Sequence, residues 1–181
     1  MTNDVNELLE KVKKLENGGK LDLSSDEDLS IGIMNLISIE EHLFFTAEKT
    51  KKERYYEILR EVREMRKELL AKIVKDYEGE IWCISKHLLA GSMRLIEVGT
   101  KMLGKGDNKE AQGMFDKAYK LYSLFWGLNL KVIDKKSLPK IDDTNINFLK
   151  DDKKISKIIF KSSIFDTLGN LVTKAINCCR E

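Results

Sequence analysis

Apolar residues recur three and four positions apart along most of this chain, and polar residues fill the positions between them. This spacing places the apolar side chains on one face of an α-helix. The pattern therefore predicts an all-α fold, in which a short amphipathic helix at about 4–16 and a last helix at about 152–178 flank four long ones. The long helices are predicted at about residues 25–48, 51–75, 80–103 and 107–130.

The breaks between the long helices are short and polar. Thr50 with Glu53, and Asp107 with Glu110, have the spacing of capping boxes, in which a side chain at the helix start accepts a backbone N–H. Long helices with short connections pack as antiparallel neighbours. We therefore expect an antiparallel four-helix bundle with additional N- and C-terminal helices.

The same pattern divides the chain into four parts. The parts are an N-terminal amphipathic helix and loop at 1–24, the four-helix bundle at 25–130, a polar linker at 131–151 and the C-terminal helix at 152–181. The C-terminal helix is expected to pack on the bundle or on a partner subunit.

Composition narrows the classes of function. The net charge is +2, from 32 basic and 30 acidic residues, which argues against a dedicated nucleic-acid binder. The sequence contains no run of 18 apolar residues, so it predicts no membrane-spanning helix. The three cysteines lack zinc or redox spacing and indicate a reducing, cytoplasmic setting. Since Gly-rich phosphate loops, nucleophile elbows and His-Glu-x-x-His segments are also missing, the sequence favours a non-catalytic protein.

One acidic residue interrupts the apolar stripe of the first long helix. Glu40 falls at a position where the stripe requires an apolar side chain. An unpaired carboxylate buried there would be costly, so it must pair with a cation, bind a metal or stay protonated. Arg66 of the second helix and Arg94 of the third could each supply the cation. The sequence leaves the ion pair and the metal ligand as alternatives.

Further candidate metal ligands lie on the second and third helices. With Glu40, the set comprises Glu61, Glu64, Glu80 and His87. Four-helix bundles often hold metal ions with inward carboxylates and histidines, and iron suits such ligands. In architecture, residues 25–130 resemble ferritin-like bundles of the mini-ferritin type. The Glu-x-x-His pairs of that family are missing here, so the resemblance implies iron binding without ferroxidase turnover.

A second resemblance implies a different function. The segment 95–118 resembles one tetratricopeptide repeat, in which small residues let two helices approach closely. On this interpretation the chain is a helical protein-interaction module that binds no metal. The matching positions are Leu95, Gly99, Met102, Ala111, Phe115 and Ala118.

The third long helix carries a second apolar stripe in addition to its core face. It consists of Trp82, Leu89, Met93 and Ile96. Left bare, these side chains would expose more apolar surface than a soluble monomer normally tolerates. The C-terminal helix or a twin subunit could cover them, and from this stripe we predict a homodimer.

Overall fold

The computed structural model describes residues 23–75, 80–133 and 162–175, together with Glu10 and Lys14. Within these ranges the regular structure is helical throughout, which confirms the all-α prediction. The remainder of the predicted N-terminal helix, residues 134–151 of the predicted linker, and residues 152–161 and 176–181 of the predicted C-terminal segment lie outside the described residues. The helices are α1 (Ser24–Thr50), α2 (Glu53–Ile73), α3 (Glu80–Gly104), α4 (Asn108–Asn129) and α5 (Ser162–Ala175).

Two predicted capping boxes have different outcomes. Asp107 is the N-cap of α4, and its side chain accepts a hydrogen bond from the Glu110 backbone N–H at 3.4 Å, as the sequence predicted. The prediction that Thr50 caps α2 is wrong, because α1 continues through Thr50 and the Thr50 hydroxyl donates back to the Thr46 carbonyl. Lys51 ends α1 instead, in a left-handed conformation with φ 54°.

Each helix packs on a particular neighbour. α1 contacts α2, α3 contacts α4, α1 also contacts α3, and α4 contacts α5. The main buried cluster draws on all of them. Its fully buried aromatic members, Phe125 and Trp126, lie near the end of α4. The other buried members are Leu23, Ile33, Met34, Leu70, Ile73, Val74, Ile81, Leu88, Leu89, Leu128 and Val172.

Burial is uneven along the helices. Between residues 38 and 65 the only buried apolar residue is Ala47, and between 94 and 120 only Ala111 and Ala118 are buried apolar residues. We call these two ranges the distal segments. Their large apolar side chains are among the most exposed of the described chain. The exposed set in the distal segments is Ile39, Phe44, Phe45, Tyr56, Met65, Ile96, Leu103 and Tyr119.

Small residues replace large ones where α3 and α4 touch. A Cβ added to Gly99 would lie 2.6 Å from Cε1 of Phe115, closer than atoms can approach without movement. Ala111 and Ala118 are buried on the facing side of α4, and the Ser92 hydroxyl donates to the Ala118 carbonyl at 2.9 Å. Small residues therefore do allow the close approach that the tetratricopeptide-like pattern implied.

The second apolar stripe of α3 has neighbours within the same chain. Leu89 is completely buried, and Trp82 and Met93 pack against the same core cluster. α3 contacts α1 and α4, and the core cluster that contains Leu89 also includes Val172 of α5. The sequence suggested α5 or a twin subunit as the cover, because periodicity shows that a helix is two-sided without showing which helix lies on each side. Ile96 alone of the four stays exposed.

We predict that Gly99→Leu destabilises the protein by about 2 kcal/mol, because the new side chain must displace Phe115 from the α3–α4 contact. Gly32→Leu is the matched control, since a Cβ at this exposed helical glycine meets nothing within 4 Å. It should raise stability by up to about 1 kcal/mol through helix propensity alone. Urea unfolding of both variants measures the difference, and equal effects at the two glycines would contradict the close-contact interpretation.

Candidate functional site

Glu40 forms an ion pair with Arg66. The Arg66 Nε donates to Oε1 of Glu40 at 2.7 Å, and a terminal guanidinium nitrogen donates to Oε2 at 3.1 Å. Arg66 is buried, with 3% of its side chain exposed, while Glu40 retains 16%. Two parallel hydrogen bonds fix both side chains in one geometry. The sequence left an ion pair and a metal ligand as alternatives for Glu40. In the structure Glu40 forms the ion pair with Arg66 of α2, and this pair joins α1 to α2 at the end of a distal segment.

Arg94 has different partners. It donates to Glu41 on α1 and, at 2.6 Å, to Glu97 one turn further along its own helix. All three side chains are partly accessible to solvent, so the pair contributes little to stability by itself. The contact between Arg94 and Glu41 instead positions the helices, because it connects α1 to α3 where neither helix carries a large buried side chain.

The remaining predicted metal ligands lie apart on the surface. Glu61, Glu64, Glu80 and His87 are all exposed, and Glu64 accepts a hydrogen bond from Lys67 at 2.7 Å. The described residues contain no group of three or more His, Cys, Asp or Glu side chains that could hold a metal ion. Among the described residues, Glu40 therefore does not form one metal site with the other four predicted ligands. Iron binding stays a prediction of the sequence.

A polar groove runs between α1 and α3 in the distal segments. It encloses about 350 Å³, and Arg94 with its two carboxylate partners forms part of its lining. One aromatic side chain, Phe45, lies in this polar setting with 52% of its surface exposed. The lining residues are Ser38, Glu41, His42, Phe45, Thr46 and Lys49 of α1 with Arg94 and Glu97 of α3.

The exposure of Phe45 follows from its sequence neighbour. Phe44 and Phe45 are adjacent, and successive residues of a helix point about 100° apart, so both rings cannot face the same neighbour. The rings instead contact each other edge to face, with centroids 5.3 Å apart. Phe44 is itself 46% exposed, so neither ring of the pair is buried in the core. The signal that could have identified Phe45 was this adjacent pair of aromatic residues.

An apolar pocket of about 310 Å³ lies between α1, α3 and α4. Its hydroxyl-bearing residues make hydrogen bonds within the chain. Ser92 donates to Ala118, while Tyr122 shares a 2.7 Å hydrogen bond with Ser30. The lining residues are Ile31 and Met34 of α1, Ser92 and Ile96 of α3, and Phe115, Ala118, Tyr119 and Tyr122 of α4.

The two tyrosines of the apolar pocket tie other helices to α4. The Tyr119 hydroxyl donates to the Gly169 carbonyl of α5 at 2.9 Å and lies 2.7 Å from Thr173 Oγ1. Tyr122 bonds α1 through Ser30. Burial raises the pKa of the Tyr122 hydroxyl, and its hydrogen bond with Ser30 opposes part of that rise. Both phenols therefore connect helices, and the Tyr122 phenol stays protonated near neutral pH.

Comparison of the chain with protein-family models, with curated proteins and with solved structures gives no match. In the part of the chain that the structure describes, no helix is long and apolar enough to cross a membrane.

We predict that Glu40→Gln lowers the free energy of unfolding by about 3 kcal/mol, because the buried Arg66 guanidinium loses its counter-charge. Glu64→Gln is the control, since it removes one carboxylate from an exposed pair with Lys67 and should change stability by less than about 1 kcal/mol. Chemical denaturation at neutral pH compares the two. A loss at Glu40 no greater than that at Glu64 would show that the Arg66 pair is not structural.

Proposed function

We propose that this chain is a non-catalytic helical protein-interaction module, built as an antiparallel four-helix bundle, and that its partner is a second copy of the chain. Support for the antiparallel arrangement begins with the first two helices. Glu40 bonds Arg66, whereas Glu48, later in α1, bonds Tyr56, earlier in α2. Contacts that converge in this way on the break at 51–52 are those of an antiparallel hairpin.

The third and fourth helices give the same support. Ser85, early in α3, accepts a hydrogen bond from Asn129 at the end of α4. Gly99, late in α3, approaches Phe115, early in α4. The two hairpins then touch each other through α1 and α3. The close approach at Gly99 supports the interaction-module interpretation, which rests on small residues between two helices.

The observation that carries the proposed function is the polar groove with its exposed Phe45. Aromatic and arginine side chains supply most of the binding energy at protein interfaces, where polar residues form the rim. Phe45 and Arg94 provide such anchors within one cleft.

The charges of the groove favour a second copy as the partner. In an isologous dimer the same surface faces itself, so the surface must carry both signs of charge. Glu41 and Glu97 provide negative charge, and Arg94 and Lys49 provide positive charge, within the same groove. A strongly acidic or strongly basic partner would be complementary to only half of these charged side chains. A twin subunit related by two-fold symmetry can pair each sign with its opposite.

We predict that Phe45→Asp weakens self-association about 30-fold, because loss of an aromatic anchor costs about 2 kcal/mol at an interface. Met65→Asp is the matched control, because Met65 is exposed to the same 52% as Phe45 but does not line the groove. Light scattering over a range of concentrations measures the dissociation constant of each. A wild-type protein that stays monomeric throughout, or equal weakening by both variants, would refute the proposal.

Iron binding of the mini-ferritin type is tested separately by metal analysis of untagged protein purified without chelators. We expect equal iron content in the wild type and in Glu40→Ala, because Arg66 already neutralises this carboxylate. Wild-type protein that holds iron in a fixed ratio, and loses it on the Glu40→Ala change, would instead support the metal-binding function.

A further inference from the structure

We propose that the apolar pocket between α1, α3 and α4 is a binding site for a compact, uncharged apolar molecule of about two fused rings. Three helices contribute to its walls, and the lining is almost wholly hydrocarbon and aromatic. Small-molecule sites in proteins are concave and mostly apolar in this way. The pocket shares no residue with the polar groove, so this inference is independent of the proposed self-association.

The hydrogen bonding of the pocket decides which class of ligand it takes. The lining hydroxyls of Ser92, Tyr119 and Tyr122 are all bonded within the chain. Among the residues that the structure describes, no charged side chain lines the pocket. A ligand with a charge would lose its hydration there and gain no partner in return, which is unfavourable. The site therefore selects for uncharged molecules.

The volume sets the size of the ligand. An apolar protein cavity of about 150 Å³ binds benzene. The pocket holds about 310 Å³, roughly twice that space. This volume is near the lower end of the range of roughly 300–1,000 Å³ for small-molecule sites. A bicyclic aromatic or a branched hydrocarbon group matches it, whereas a larger ligand would project into solvent.

Some apolar side chains that line the pocket remain exposed to solvent, and a bound ligand would cover them. Ile31, Ile96 and Tyr119 line the pocket and are nevertheless 43%, 40% and 42% exposed. A molecule seated against these three side chains removes apolar area from water, and that removal drives binding. The site thus combines a concave apolar wall with side chains that remain accessible from solvent.

The test uses two fluorophores that share a ring system. 1-Naphthylamine is neutral at pH 7 and has two fused rings, and 8-aminonaphthalene-1-sulfonate carries a sulfonate on the same framework. We expect saturable one-to-one binding of the neutral probe to the native protein, and binding of the sulfonate about tenfold weaker because its charge finds no partner. Fluorescence titration measures both affinities.

Two pairs of isoleucines provide matched variants. Ile96→Glu on α3 and Ile31→Glu on α1 place a charge in the pocket, and each should weaken the neutral probe about tenfold. Ile84→Glu and Ile39→Glu are their controls on the same helices, because Ile84 and Ile39 are 38% and 44% exposed and do not line the pocket. Both control variants should bind the neutral probe with the same affinity as the wild type.

Several results would overturn the proposal. They are non-saturable binding to the wild type, a sulfonate affinity equal to that of the neutral probe, or losses in the controls as large as in the pocket variants. Thermal unfolding checks that each variant is folded, and if Ile96→Glu fails this check, Ile31→Glu decides. A change in oligomeric state in the pocket variants, with no probe binding to the wild type, would assign the surface to protein contact instead.

Discussion

The buried ion pair between Glu40 and Arg66 is the interaction on which the distal part of the first two helices depends. Large apolar side chains are buried mainly in the other part of the helices, where Ile33, Leu70 and Leu89 belong to one cluster. In the distal segment of α1 only Ala47 is a buried apolar residue. A charged pair with two hydrogen bonds must therefore fix the approach of α2 to α1 there, and removal of either partner would leave a costly buried charge.

The second pair of helices meets the same constraint with small residues. Gly99 lets α3 approach the ring of Phe115, and Ala111 and Ala118 occupy the buried positions of α4. Helices that contact through glycine and alanine lie too close to accommodate large side chains between them. Ile96 of α3 stays exposed near this contact and lines the apolar pocket.

The apolar pocket also shows how polar groups organise the interior. Ser30, Ser85, Ser92 and Ser123 are all buried, and the first three make hydrogen bonds that join different helices. Among the described residues, the Ser123 hydroxyl has no hydrogen-bond partner. An unpaired buried hydroxyl is unfavourable, so this position lowers the stability of the fold.

The sequence by itself determined the helices and several of their ends. Periodic apolar residues gave the long helices to within a few positions, because that periodicity reports on one face of one helix. Asp107 was identified as a cap because capping needs only residues three apart. The prediction for Thr50 failed because the conformation of Lys51, and not local side-chain chemistry, ends α1. Such backbone choices depend on how the next helix packs.

The partners of each side chain were decided only by the tertiary structure. Glu40 could be recognised as unusual from its position, but the choice between Arg66, Arg94 and a metal depends on the rotation and level of each helix. Likewise, the stripe of Trp82 and Leu89 indicated that α3 has two apolar sides, while only the tertiary structure showed that both residues pack in the core cluster. The pocket and the groove are spaces between helices, and a one-dimensional pattern of polarity carries no information about the distances that define them.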